Sequence, residues 1–129
     1  MLKTGILNPQ LNALLSRVRH TNTLVIADRG FPFWPMIETV DISLVDDIPT
    51  VLQVLAAVRT NFQIGQAWMA QEFLGHNSAD VAKRFTEALV GIPLVNEPHV
   101  FFKRRVPQAI GLIRTADTTP YSNLILESA

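Results

Sequence analysis

The stretch Thr23-Leu24-Val25-Ile26-Ala27-Asp28-Arg29-Gly30-Phe31-Pro32 decides the fold class of this chain. Its first five residues are β-branched or apolar and do not alternate with polar ones, which is typical of a strand buried on both faces. Asp28, Gly30 and Pro32 then end the strand in a loop, since these residue types favour turns. The stretch therefore predicts a buried strand that leads directly into an irregular segment.

Helix and strand signals alternate on both sides of this stretch. Asn8 and Pro9 suit an N-cap and a first helical position, and they predict a helix that ends near Arg19-His20. Further helices are expected from Pro49 to Val58, after the cap residue Ser78, and just past Pro98. Further strands are expected over residues 39–44, 92–95, 109–113 and 123–126, while residues 62–69 fit either state. This alternation indicates an α/β layered fold.

Length and composition exclude several classes of protein. The 129 residues suffice for one domain, and 48% hydrophobic with 17% charged residues rules out disorder. Eleven basic and eleven acidic residues give no net charge, which argues against nucleic-acid binding, and the absence of cysteine removes disulfides and thiolate metal sites. The longest uncharged apolar stretch, Ile48 to Val58, is too short to span a membrane, and no signal peptide develops before Pro9. We therefore expect one soluble cytoplasmic domain.

The low charge fraction bears on assembly. Phe31, Phe33 and Trp34 fall in one short loop of a chain that has few charged residues to cover its surface. Exposed apolar patches of this kind often mark subunit interfaces. The sequence is therefore compatible with a homo-oligomer.

Reactive side chains are few. The three histidines, His20, His76 and His99, lie far apart without a metal-binding motif, and no serine has the context of a nucleophile. The remaining acid–base and polar candidates are His20, Asp28, His99, Tyr121 and Asn123. Each also has an ordinary structural interpretation. These are a helix cap for His20, an Asx turn for Asp28, an exposed first helical turn for His99, a strand edge for Tyr121 and a turn for Asn123. Because α/β folds place their sites just past the ends of strands, the loop at Asp28 is the first place to look.

Both ends of the chain resemble one known family. The segment Arg19-His20-Thr21-Asn22-Thr23 through Asp28-Arg29-Gly30-Phe31-Pro32 is similar to the N-terminal motif of the D-ribose pyranase and L-fucose mutarotase family. The segment Pro120-Tyr121-Ser122-Asn123-Leu124-Ile125-Leu126 resembles its closing motif, and the likeness extends over essentially the whole chain. His99, which lies 22 residues before Tyr121, and Arg114 in Gly111-Leu112-Ile113-Arg114 look like the D-ribose pyranase branch.

The resemblance implies a fold, an activity and an assembly. The fold is a three-layer α/β/α sandwich with a mixed, mostly parallel central sheet. The activity is a cofactor-free interconversion of cyclic sugar forms, in which the β-pyranose form of a ribose-like sugar becomes the furanose form. Members form rings of subunits, typically decamers, with the active sites at subunit boundaries, and they work in the cytoplasm beside a sugar importer. His20 is then the proton donor, and the sugar hydroxyls are bound by Asp28, His99, Tyr121, Ser122 and Asn123.

Departures from the family pattern leave two alternatives open. Arg19 and Arg29 stand where the family has small residues, and the loop that contains Phe33 and Trp34 is bulkier and more aromatic. If the arginines point inward, a phosphorylated or acidic sugar becomes plausible; if they point outward, they are solvated or bridge subunits. The alternatives are a fucose-type mutarotase acting on another sugar, and a non-catalytic sugar-binding ring.

Two geometric expectations follow from the spacing of the candidates. Eight extended residues from His20 to Asp28 separate their Cα atoms by roughly 20 Å or more. To share one site, the two residues must therefore meet across a subunit interface, or the chain must fold back sharply near Thr21 or Asp28. Tyr121 and Asn123 are two residues apart, so on a strand they face the same side.

Overall fold

The computed structural model describes residues 1–129, and a six-stranded sheet forms its centre. The strands are β1 Thr23–Ala27, β2 Glu38–Asp41, β3 Ile64–Ala70, β4 Leu94–Glu97, β5 Gly111–Arg114 and β6 Leu124–Ser128. The helices are α1 Pro9–Leu15, α2 Val51–Arg59, α3 Glu72–His76, α4 Ala79–Ala88 and α5 His99–Arg105, followed by a 3₁₀ turn over Val106–Gln108. No helix has the length and apolar character that a membrane crossing requires.

The sheet is mixed, and one strand accounts for the mixture. Its spatial order is β2-β5-β1-β6-β3-β4. The pairs β2–β5, β5–β1 and β3–β4 are parallel, whereas β6 runs antiparallel to both of its neighbours. The expected mostly parallel mixed sheet is therefore confirmed, and the closing segment of the chain supplies the reversed strand at its centre.

Helices cover both faces of the sheet. Alternate residues of β1 serve the two sides: Leu24 and Ile26 pack among residues of α1, α2, α3 and α4, while Val25 and Ala27 pack towards α5 and the 3₁₀ turn. All four of these strand residues are fully buried, as the unalternating apolar run predicts. The three-layer α/β/α arrangement is thus confirmed.

Several element boundaries differ from those the sequence suggested. α1 ends at Leu15 rather than near His20, because Arg17 and Val18 donate to the carbonyls three residues back and tighten the last turn. β4 begins at Leu94 and β6 at Leu124, one or two residues later than expected. The ambiguous segment is the strand β3, and the short helix α3 that follows it was not expected. Strand pairing decides these limits, and a local pattern does not contain it.

Candidate active site

A polar cavity of about 300 Å³ opens beyond the carboxyl end of β1. Three segments form it: the loop over residues 28–32, the first residue of α5, and the segment over residues 117–123 that leads into β6. Its lining consists of Asp28, Arg29, Gly30, Phe31, Pro32, His99, Asp117, Thr118, Thr119, Pro120, Tyr121 and Asn123. The cavity lies at the end of the buried strand, where the sequence predicts a site, and its volume suits a small ligand.

Asp28 and Asn123 form a reciprocal pair at the base of the cavity. The Asp28 main-chain N–H donates to Asn123 Oδ1 over 2.7 Å, and Asn123 Nδ2 donates to Asp28 Oδ2 over 3.1 Å. Asp28 Oδ1 also accepts from the Gly30 N–H over 2.9 Å, so the Asx turn exists alongside the cavity position. Burial raises the pKa of the Asp28 carboxyl, and the hydrogen bonds from Gly30 and Asn123 oppose that rise. The carboxylate is thus held rigidly, in a half-buried setting that favours its interaction with a ligand.

His99 presents an imidazole without a partner. Its Nε2 is buried and makes no hydrogen bond, although buried ring nitrogens are normally paired. The ring lies among Phe31, Phe102 and Tyr121, with the Tyr121 ring edge-on at 5.1 Å between centroids. Burial, followed by the charge of Lys103, lowers the pKa of His99, so the neutral ring is favoured at neutral pH. A neutral imidazole beside a polar cavity is able to donate or accept one hydrogen bond with a ligand.

Glu72 fixes the backbone at His99. The main-chain N–H of His99 donates to Glu72 Oε2 over 2.8 Å and to Oε1 over 3.2 Å. Because α5 begins at His99, this carboxylate satisfies one of the unpaired donors of the helix start. The first residue of α5, and with it the imidazole, is held in place by the neighbouring helix α3.

Tyr121, Ser122 and Asn123 lie before β6 rather than on it. Tyr121 adopts a left-handed backbone conformation with φ of 57°, and the strand starts only at Leu124. Tyr121 and Asn123 therefore do not share one face of a strand, as the spacing predicted, because neither lies on a strand. Both side chains nevertheless line the cavity. Ser122 is fully buried between them, its Oγ makes no hydrogen bond, and it does not line the cavity.

His20 lies apart from the other predicted site residues. It is exposed in the turn between α1 and β1, next to Thr21, whose N–H donates to the carbonyl of Ser128 at the far end of β6. β1 continues unbroken from Thr23 to Ala27, so the fold-back that would bring His20 to Asp28 does not occur. α1 ends at Leu15, so the alternative in which His20 caps that helix is also wrong. Within one chain, His20 and the cavity occupy opposite ends of the sheet.

Some residues of the site were not anticipated from the sequence. Asp117 is almost fully buried; its Oδ2 accepts from the Val51 N–H at the start of α2 over 2.8 Å, and its Oδ1 accepts from the Thr119 N–H. It therefore ties the cavity segment to a helix terminus. The pattern Asp117-Thr118-Thr119-Pro120 is a turn signal that places a loop here but does not indicate its partner.

Arg29 is exposed, and its guanidinium pairs with Asp46 at 2.5 Å. Its main-chain N–H donates to the carbonyl of Asp117. The charge of Arg29 therefore points outward to a surface carboxylate, although the residue also contributes to the lining of the cavity. Side chains suited to a metal ion are not grouped in threes anywhere in the chain.

Comparison with known proteins places the chain in one family. The RbsD / FucU transport protein family matches residues 1–129. The D-ribose pyranase of Geobacillus kaustophilus is 41% identical over 128 residues, covering 99% of this chain and 93% of that protein, and the D-ribose pyranase of Laribacter hongkongensis is 37% identical, covering 99% and 97%.

Solved structures agree with the sequence comparison. The structure of Bacillus subtilis RbsD complexed with D-ribose superposes with a TM-score of 0.93 at 30% identity, covering 100% of this chain and 98% of that one. The fucose mutarotase of Streptococcus pneumoniae in complex with L-fucose has the same fold, with a TM-score of 0.78 at 17% identity and coverage of 99% and 98%. The full-length match, the identities and the shared fold together show that this chain belongs to the RbsD / FucU transport protein family.

Proposed function

We propose that this protein is an isomerase that interconverts the β-pyranose and furanose forms of D-ribose or a closely similar sugar. The observation that carries the proposal is the cavity in which a half-buried carboxylate, a neutral imidazole without a partner and a phenol come together. Relatives at 37–41% identity, matched over 93–97% of their length, are D-ribose pyranases, which supports a sugar as the ligand.

The chemistry requires only acid–base groups. An acid protonates the ring oxygen and a base removes the proton of the anomeric hydroxyl, which opens the ring to the aldehyde. Rotation and attack by a different hydroxyl then close a ring of another size. Each well-placed acid or base contributes about 10²–10⁴-fold to the rate. Proton transfers alone open and close the ring, so the proposal needs no cofactor.

The cavity residues are assigned to sugar binding. Asp28 accepts hydrogen bonds from sugar hydroxyls, and His99 Nε2 makes the hydrogen bond that it lacks in the free protein. Tyr121 and Asn123 contact the remaining hydroxyls. Ser122 contributes through its main chain, because its enclosed position sets the spacing of Tyr121 and Asn123. A mixed set of donors and acceptors around a polar cavity matches the hydroxyl pattern of a sugar.

His20 is assigned as the proton donor of a neighbouring subunit's cavity. The strand between His20 and Asp28 separates them within one chain, whereas a ring of subunits brings the turn of one copy against the cavity of the next. We propose a closed homo-oligomeric ring, a decamer as in the family it resembles. The proposal also places the protein in the cytoplasm beside a sugar importer.

Saturation-transfer NMR on equilibrated D-ribose tests the proposed function, with L-fucose as a parallel sample. We expect faster pyranose–furanose exchange for D-ribose with the wild-type protein, and loss of that acceleration with retained sugar binding in His20→Ala. Acceleration for L-fucose alone would assign the protein to the mutarotase branch. Binding without acceleration of either sugar would replace the enzyme with a sugar-binding ring.

A further inference from the structure

Arg114 makes an unusual set of contacts at the edge of the cavity. It is the last residue of β5, which lies between β1 and β2, and its side chain is half-buried. Its Nη1 donates to the main-chain carbonyls of Asp28 over 3.1 Å and Arg29 over 3.3 Å, and its Nη2 donates to that of Pro32 over 3.2 Å. One guanidinium thus donates hydrogen bonds to three carbonyls of a single short loop.

This loop forms one wall of the proposed sugar site. It carries the Asp28 carboxylate and the Phe31 ring, which packs against the His99 ring with 6.1 Å between centroids. The planar fork of an arginine is able to serve several carbonyls at fixed angles, whereas the ammonium of a lysine is a point charge on a flexible stem. The contacts therefore hold the shape of the wall as well as its position.

We propose that Arg114 is a positioning residue of the sugar site, which fixes the 28–32 loop through three carbonyls and whose positive charge compensates the burial of the Asp28 carboxylate. The part that concerns sugar affinity rests on the proposed function. The part that concerns Asp28 does not, since it is a property of the free protein.

The charges around Asp28 support the second part. Burial raises the pKa of its carboxyl, and hydrogen bonds from Gly30, Asn123 and Phe31 oppose that rise, followed by the charge of Arg114. The guanidinium of Arg114 is within hydrogen-bond distance of the main-chain carbonyl of Asp28 itself, which places this charge next to the carboxylate. Arg29, on the same loop, is engaged by Asp46. The remaining titratable groups that face this corner are His99 from α5, Asp41 at the end of β2, and Asp117 and Tyr121 from the segment before β6. None of these others adds a permanent positive charge. Of the two arginines at this corner, Arg29 is paired with Asp46, whereas Arg114 has no carboxylate partner.

Two substitutions separate the fork from the charge. Arg114→Gln removes both, and Arg114→Lys keeps the charge without the fork. The Asp28 carboxyl is titrated by carbon-13 NMR in the free protein, and the affinity for D-ribose is measured as a function of pH. We expect the Asp28 titration to move to higher pH in Arg114→Gln and to stay near the wild-type position in Arg114→Lys. We expect both variants to bind D-ribose more weakly, on the order of tenfold, because both lose the fork.

Arg59→Gln is the matched control. Arg59 also donates to two main-chain carbonyls, those of Ala88 and Val90, but it lies at the far end of α2 from the residue that Asp117 contacts. It should lower stability without changing the Asp28 titration or the D-ribose affinity. An unchanged Asp28 titration in Arg114→Gln, or wild-type affinity in Arg114→Lys, would overturn the proposal. If Arg114→Gln does not fold, the affinity of Arg114→Lys still decides the positioning role. A wild-type protein that binds no D-ribose would reject the proposed function instead, while the Asp28 titration still tests Arg114.

Discussion

Mixing two inactive variants tests whether each active site is shared between subunits. His20→Ala lacks the proposed proton donor and Asp28→Asn lacks the carboxylate of the cavity. The two positions are separated by the whole of β1, in which four steps of about 3.3 Å place at least about 13 Å between its ends. A side chain cannot cover that distance within one chain, so a working site needs His20 from one subunit and Asp28 from another.

The expected recovery follows from random assembly. In an equal mixture, half of the subunits contribute an intact His20 and half contribute an intact Asp28. About one quarter of the sites then receive both groups, so the mixed ring regains about one quarter of the wild-type exchange rate. His20→Ala alone should lower the exchange rate by about 10²–10⁴-fold, the contribution typical of a single acid–base group. Asp28→Asn alone should also be strongly impaired, because it removes the carboxylate that binds the sugar hydroxyls. The exchange rate of the mixed ring should therefore be far above that of either variant alone.

The assay co-expresses the two variants with different affinity tags and purifies rings that carry both. Saturation-transfer NMR on D-ribose then gives the exchange rate per subunit. Rings that contain only one variant, purified in the same way, serve as controls. Mixed rings no more active than these controls would refute the composite site, and so would a dissociated wild-type monomer with full activity.

The remaining predictions concern pH, selectivity and packing. Burial lowers the pKa of His99 in the folded protein. The neutral ring therefore stabilises the fold above the unfolded pKa of 6.5, and this stabilisation is lost as the pH falls through the folded pKa. Thermal unfolding should show this loss of stability towards low pH in the wild-type protein and not in His99→Gln. Asp46→Asn removes the ion-pair partner of Arg29 and frees its guanidinium beside the cavity. The inhibition constant of D-ribose 5-phosphate should then fall about fivefold, while the affinity for D-ribose stays constant. Inhibition assays at low salt measure both. Equal inhibition of both proteins would mean that Arg29 does not reach the ligand. Gly111→Ala places a methyl group 2.6 Å from Leu14 Cδ1. Chemical denaturation should therefore show that the free energy of unfolding falls by about 1–3 kcal/mol. An unchanged denaturation midpoint would mean that α1 moves away without an energetic cost.

Much of the fold was accessible from local patterns. The unalternating apolar run from Thr23 to Ala27 is buried on both faces, as its composition requires, and Ser78 accepts a hydrogen bond from Val81 at the start of α4. The helix after Pro98 also forms where the pattern predicts it. These features depend on residues close together in sequence. The limits of β4 and β6 depend on their partner strands, so the local pattern misplaced them by one or two residues.

The candidate site likewise has features that the sequence predicted and features that only the folded chain brings together. Motif resemblance identified Asp28, His99, Tyr121 and Asn123, and all four line one cavity. The hydrogen bonds between Asp28 and Asn123 join residues 95 positions apart, so no local pattern contains them.

The sequence by itself determined the layered fold, the buried strand and the identity of the candidate residues, because apolar periodicity, capping and motif spacing are encoded over a few neighbouring positions. Only the tertiary structure decided that Arg114 gathers the carbonyls of the 28–32 loop and that Tyr121 lies in a left-handed turn. It alone also decided that His20 is separated from the cavity by the length of β1. These are distances between segments far apart in the chain, and the packing of strands against one another sets them.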